Sequence, residues 1–217
     1  MKTDRERQLA EKPIGKLVIS MALPSVVAQL VNVLYNIVDR MYIGHIPETG
    51  TMALTGLGIC FPILTLISAF SAFAGSGGAP LAAIELGKGK KERAEKILGN
   101  AFTMLLTFSV ILTIVFQLLK EPVLYAFGAS DATIGYAMDY IGIYLWGTIF
   151  VQLAVGLNTF ITCQGQSKIA MLSILIGAVI NIILDPILIF GLDMGVKGAT
   201  LQQLSHSAVL LYGACIS

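Results

Sequence analysis

Six apolar stretches recur along these 217 residues, near 14–42, 52–83, 97–119, 133–160, 169–190 and 200–217. Each is close to the ~20 residues that cross ~30 Å of hydrocarbon. In lipid every backbone N–H and C=O needs a partner within the protein, so runs this long are expected to be helices. Composition agrees: 56% of residues are hydrophobic, 12% are charged and mean hydropathy is +0.82. A soluble domain carries about 25% charge. The expected fold class is therefore an all-α integral membrane protein, a six-helix transmembrane bundle. A net charge of +1 offers no basic face for nucleic acid. Cys60, Cys163 and Cys215 are odd in number and far apart in apolar surroundings, which suggests neither a disulfide framework nor a zinc site. The opening MKTDRERQLAEK is too polar for a secretory leader, and the apolar run after it is too long for one, so that run should remain as the first span.

Orientation follows from the connections. Lys2, Arg5, Arg7, Lys12, Lys16, Lys88, Lys90, Lys91, Arg93, Lys96 and Lys168 fall on one side, and Arg40, Lys120 and Lys197 on the other. Lys and Arg concentrate on the cytoplasmic side. The N-terminal segment, residues 1–13, and the 88–96 loop are thus expected in the cytoplasm of a multi-pass inner (plasma) membrane protein.

Within AVINIILDPILIFG, Asp185 sits among apolar residues with Asn181 four residues earlier, on the same helix face. Placing an ionised Asp in hydrocarbon costs at least about 2.5–3.5 kcal/mol, so such a residue is a functional-site candidate. Pro186 lacks an N–H and leaves the carbonyl of Ile182 free. The structural alternative is a helix ending at the headgroups.

The first span carries Ser25, Gln29, Asn32, Asn36 and Asp39 at steps of four and three, a polar stripe ending in a carboxylate. Such a stripe faces protein or water rather than lipid; as an alternative, its amides serve only as interhelical hydrogen-bond glue. Pro24 in the same span is a natural bending point. The second span is rich in Gly and Pro, and its AGSGGAP matches neither a phosphate loop nor a nucleophile elbow, which leaves packing. The third, near 97–119, is uncharged and reads as scaffold. Asp139 and Tyr140 stand toward the outer end of the fourth and Asn158 toward its inner end. Trp146 suits packing or an interface better than a ligand, and His45 and His206 have no metal-binding company. At ~1.5 Å per residue, Asp39 and Asp185 both fall in the outer half of the membrane. Two acids sharing one low-dielectric cavity cannot both stay charged without a counter-ion, the condition for a proton or sodium site.

Four motifs carry a family resemblance: ALP…LYNIVDRMYIGHI, ELGKGKKERAEKILGNA, TCQGQSKIAM and NIILDPILIFGLDMGVKGAT. Together they resemble the first half of a multidrug and toxic compound extrusion (MATE) transporter over residues 14–201. The resemblance implies one lobe of a twelve-helix, two-lobed protein that exchanges small cationic or amphipathic compounds for H⁺ or Na⁺ by alternating access. It implies cation coupling by Asp39, Asn181 and Asp185, with Na⁺ at those three if sodium is the ion, and Tyr140 and Asn158 as accessory members. Gln29, Asn32 and Asn36 would lie on the substrate pathway, with the hinge at Pro24. No organic cofactor, resident metal or enzymatic activity is implied. The partners expected are the bilayer, the transported compounds and a C-terminal lobe that this chain lacks, as in a truncated product. Alternatives are a lipid-linked-precursor flippase of the same superfamily and a half-size subunit that pairs with another lobe. A membrane-embedded enzyme finds no support, since neither HExxH nor GxSxG occurs.

Residues 202–217 fit this pattern poorly, because Gln202, Gln203, Ser205, His206 and Ser207 crowd the start of the sixth stretch. Restoring one G after Leu201 in plausible codons turns Gln-Gln-Leu-Ser-His-Ser into Ala-Thr-Val-Ile-Ser-Gln. The tail is therefore expected to be out of frame.

Overall fold

The computed structural model describes residues 13–192 and 194–216, and among them no strand occurs. The basic N-terminal residues Lys2 to Lys12 and the side chain of Cys215 lie outside the described set. Seven α-helices follow in order: α1 Ile14–Gly44, α2 Gly50–Gly87, α3 Lys91–Ala126, α4 Ile134–Trp146, α5 Thr148–Cys163, α6 Ser167–Pro186 and α7 Val196–Ile216. A five-residue π-helical turn, Ile187–Gly191, extends α6. At 38 and 36 residues, α2 and α3 are about 57 and 54 Å long, so they project beyond the hydrocarbon layer.

Two departures from the sequence expectation stand out. The fourth stretch is not one helix: α4 and α5 meet at Gly147 with a bend of 60°. A Cβ there would stand 1.9 Å from a methyl of Leu204 on α7, so the two helices cross closely at this glycine. Side chains of α3 donate to backbone carbonyls near the break. Thr113 Oγ1 donates to the carbonyl of Leu145 at 2.9 Å, and Gln117 Nε2 to that of Gly142 at 3.0 Å. Such interhelical bonds contribute roughly 0.6–2 kcal/mol each. Second, α1, α2, α3 and α6 with its π turn are each apolar enough to span, as is the bent α4–α5 pair, whereas α7 is not. The polar start of α7 makes it less apolar than the spans of the lobe.

Packing divides the helices into two groups. Helix α2 runs against α3 and α5, while α6 runs against α1 and α7; α4 bridges α2, α3 and α7. The largest apolar cluster joins Ile63, Ile67, Leu124, Ile141 and Leu145. Large apolar side chains also cover the outside, among them Leu118 (77% exposed) and Trp146 (73% exposed). Meanwhile Gln152, Asn181, Asp185 and Gln202 are buried. This distribution, apolar outward and polar inward, is that of a multi-pass membrane protein. The AGSGGAP segment serves packing as expected: a Cβ at Gly75 would stand 3.1 Å from the carbonyl oxygen of Gly156 on α5.

Candidate functional site

A cavity of about 820 Å³ lies between α1, α2, α4, α5 and α7. One wall is the polar stripe of α1, since Gln29, Asn32, Asn36 and Asp39 all line it. The heptad-like spacing turns these side chains to one side, while Ala28 and Ile43 are buried outside the cavity lining. Asn36 Nδ2 donates to the carbonyl of Asn32 at 2.7 Å. Tyr140 and Asn158 line the opposite wall, from α4 and α5. Tyr140 and Asn158, eighteen residues apart and on either side of Gly147, both line this space. Tyr140 stacks on Tyr144 with ring centres 6.1 Å apart, and its hydroxyl donates to Gln203 Oε1 at 2.6 Å.

Asp185 and Asn181 are placed differently. Neither lines the cavity; both are buried within the packing of α6, with Asp185 0% exposed. Shared lining by two acids, as the depth argument implies, is thus corrected: α6 presents Ile174 to the cavity and turns its polar pair toward the neighbouring helices. Asn181 Nδ2 donates to Gln202 Oε1 of α7.

The unsatisfied atoms concentrate here. Asp39 Oδ1, Asn181 Oδ1 and both carboxylate oxygens of Asp185 are buried with no hydrogen-bond donor among the described residues. Leaving a buried polar atom unpaired costs about 1–3 kcal/mol, and more for a charged group. Four acceptor oxygens thus stand without donors among the described residues, and Gln202 Nε2, on the amide that Asn181 contacts, is also unpartnered there. Immediately after Pro186 the π turn begins at Ile187, where Leu192 N–H reaches back to the Ile187 carbonyl at 2.9 Å. Insertions of this type recur at functional sites. Pro24, the expected hinge, is buried within α1 outside the cavity lining. Asp139 does not line the cavity; it pairs with Lys197 at 3.3 Å.

Sequence reasoning missed Tyr35, Tyr144 and Gln152. Tyr35 and Tyr144 line the cavity, Tyr35 with its ring 4.8 Å from that of His206. Gln152 is fully buried with both amide atoms unpartnered among the described residues. Tyr144 had a signal, its position four residues after Tyr140 on one helical face.

The comparisons with known proteins agree on one family. The MatE family profile matches residues 24–187, three quarters of the chain. The chain belongs to the MatE family. It is similar to the multidrug export protein MepA of Staphylococcus haemolyticus, 28% identical over 209 residues, which cover 96% of this chain and 46% of that protein. It is also similar to an FAD transporter of Shewanella oneidensis, 28% identical over 210 residues, covering 94% of this chain and 45% of that one. Among solved structures, a MATE protein in its bent conformation superposes with a TM-score of 0.89 at 25% identity, over 99% of this chain and 47% of that one. A MATE protein in the straight conformation gives 0.88 at 26% identity, over the same shares. This MatE chain thus spans about half the length of the relatives it matches, and it has the fold of one all-α membrane lobe. The family is one of transporters rather than enzymes.

Proposed function

We propose that this chain is the N-terminal lobe of a cation-coupled multidrug efflux antiporter working by alternating access. The observation that carries the reading is the presence of four buried acceptor oxygens on Asp39, Asn181 and Asp185 without donors among the described residues, with Asp39 opening onto the cavity. H⁺ or Na⁺ enters from the outside, reaches Asp39 and passes to the buried Asp185–Asn181 pair. Occupancy removes the cost of the unpaired oxygens, and α1 then bends at Pro24, shrinking the cavity and expelling the compound. The cation shifts the conformational equilibrium only by its difference in affinity for the two states. Tyr140 and Asn158 hold the opposite wall, and Gln29, Asn32 and Asn36 line the cargo's route.

The cavity wall favours cationic or amphipathic cargo. Tyr35, Tyr140 and Tyr144 offer aromatic faces, which attract cations. Among the lining residues Arg40 is the one cation, beside Asp39, which gives a phosphate-bearing cargo little to bind. That argues against a flippase and against flavin-nucleotide transport by this lobe. The acting protein carries a second lobe and sits in the inner membrane with its N-terminus in the cytoplasm. The test is gradient-driven efflux of ethidium by a two-lobed protein built on this half. Asp39→Asn and Asp185→Asn should each insert normally and lose efflux; normal efflux by both removes the acids from the mechanism.

A further inference from the structure

A second cavity, of about 530 Å³, lies at the far end of α2 where the turn at Gly89 (φ 74°) brings the start of α3 beside it. Its wall combines two chemistries. Leu81 and Ile84, each more than half exposed, extend the apolar outer surface of α2, and Lys88, Arg93 and Lys96 crown it. Glu85 is the opposing charge in the wall, so the charged lining groups sum to a net +2.

Not all of these charges are available. Lys88 holds Glu85 at 2.7 Å, and Lys96 holds Glu92 at 2.8 Å. Arg93 makes no ion pair among the described residues. Its guanidinium is a bidentate phosphate donor, set at the margin of the hydrocarbon with apolar side chains directly below. A phosphate group carrying acyl chains matches both halves of this wall; a soluble anion matches only the upper half. Basic pockets between membrane helices on the cytoplasmic side are suited to anionic headgroups.

We infer that this cavity is a binding site for an anionic phospholipid of the adjoining leaflet, its phosphate on Arg93 with Lys88 and Lys96 around it and its chains along Leu81 and Ile84. The site is separate from the transport cavity and shares no lining residue with it. A bound lipid would brace the α2–α3 turn.

The test is native mass spectrometry of the full chain, released from detergent with equal doses of phosphatidylglycerol or phosphatidylcholine. Wild type should retain phosphatidylglycerol selectively. Arg93→Gln and Lys96→Gln should each lower retention about fivefold, the weight of one basic side chain near an anionic surface. Lys90→Gln, on the same turn but outside the cavity wall, should leave it unchanged. All the substituted residues are exposed, and circular dichroism checks that helix content is kept. Equal retention of the two lipids, or loss in Lys90→Gln matching that in Arg93→Gln, overturns the inference. So does full displacement by millimolar inorganic phosphate, which would make a free anion the occupant.

Discussion

Replacing Asp185 with asparagine keeps the shape of the side chain while removing its charge, and the consequence can be sized from the structure. Both oxygens of Asp185 and the Oδ1 of Asn181 are buried without donors among the described residues. A cation that satisfies them binds the folded chain and not the unfolded one. At one hundred times its dissociation constant it stabilises the fold by about 2.7 kcal/mol. For a chain of 150–250 residues each kcal/mol moves the midpoint about 2–4 °C, so the expected shift is about 5–11 °C. Thermal unfolding of the purified chain would be followed in two titrations: sodium at fixed pH and ionic strength, and pH at fixed sodium. Wild type should respond in at least one. Asp185→Asn should respond by less than about 2 °C in both. Asp139→Asn, which loses only an ion pair with both partners about half exposed, should respond like wild type. If Asp185→Asn keeps the full wild-type shift, the buried carboxylate is not the cation site and the reasoning from unpaired oxygens fails.

Three further outcomes are expected. Gly75→Leu should lower stability by about 1–3 kcal/mol through overpacking, because a Cβ there already meets Gly156 and Thr159 of α5 at 3.1 Å; wild-type thermal unfolding would contradict that crossing. Gln152→Leu should raise stability by about 1–3 kcal/mol, since it removes two buried atoms that lack partners among the described residues; a loss in chemical unfolding would show that Gln152 is satisfied. Sequencing the coding DNA through codon 201 should show that inserting one G regenerates Ala-Thr-Val-Ile-Ser-Gln, placing Thr at the position where Gln203 now accepts from Tyr140; any other reading ends the out-of-frame proposal.

Much of the lobe was legible before any coordinates. Helices α1, α2, α3 and α6 follow from length and hydropathy alone, because lipid permits few other conformations. The α1 stripe was legible because 4-3-4-3 spacing is a helical period, and it does line the cavity from Gln29 to Asp39. The bend at Gly147 was not. No proline marks it and the apolar run continues through it, while Leu204, whose side chain fills the space beside Gly147, is distant in sequence. Nor could periodicity say that Asp185 faces packed helices while Asp39 faces open space. That depends on how α6 is rotated against α1 and α7, which is set by contacts such as Gly177 beneath the ring of His206. Pro186 pointed to a disturbed backbone, but the π form of the turn depends on which carbonyls Leu192 and Met194 reach.

The most direct measurement records both fluxes at once: ethidium and H⁺ or Na⁺ in proteoliposomes holding the two-lobed protein with this half. The account predicts that ethidium moves only against an opposing flow of one of these cations, and that Asp39→Asn and Asp185→Asn each abolish both movements together. Ethidium transport unaccompanied by either cation, or cation-driven transport that survives loss of both carboxylates, would contradict it.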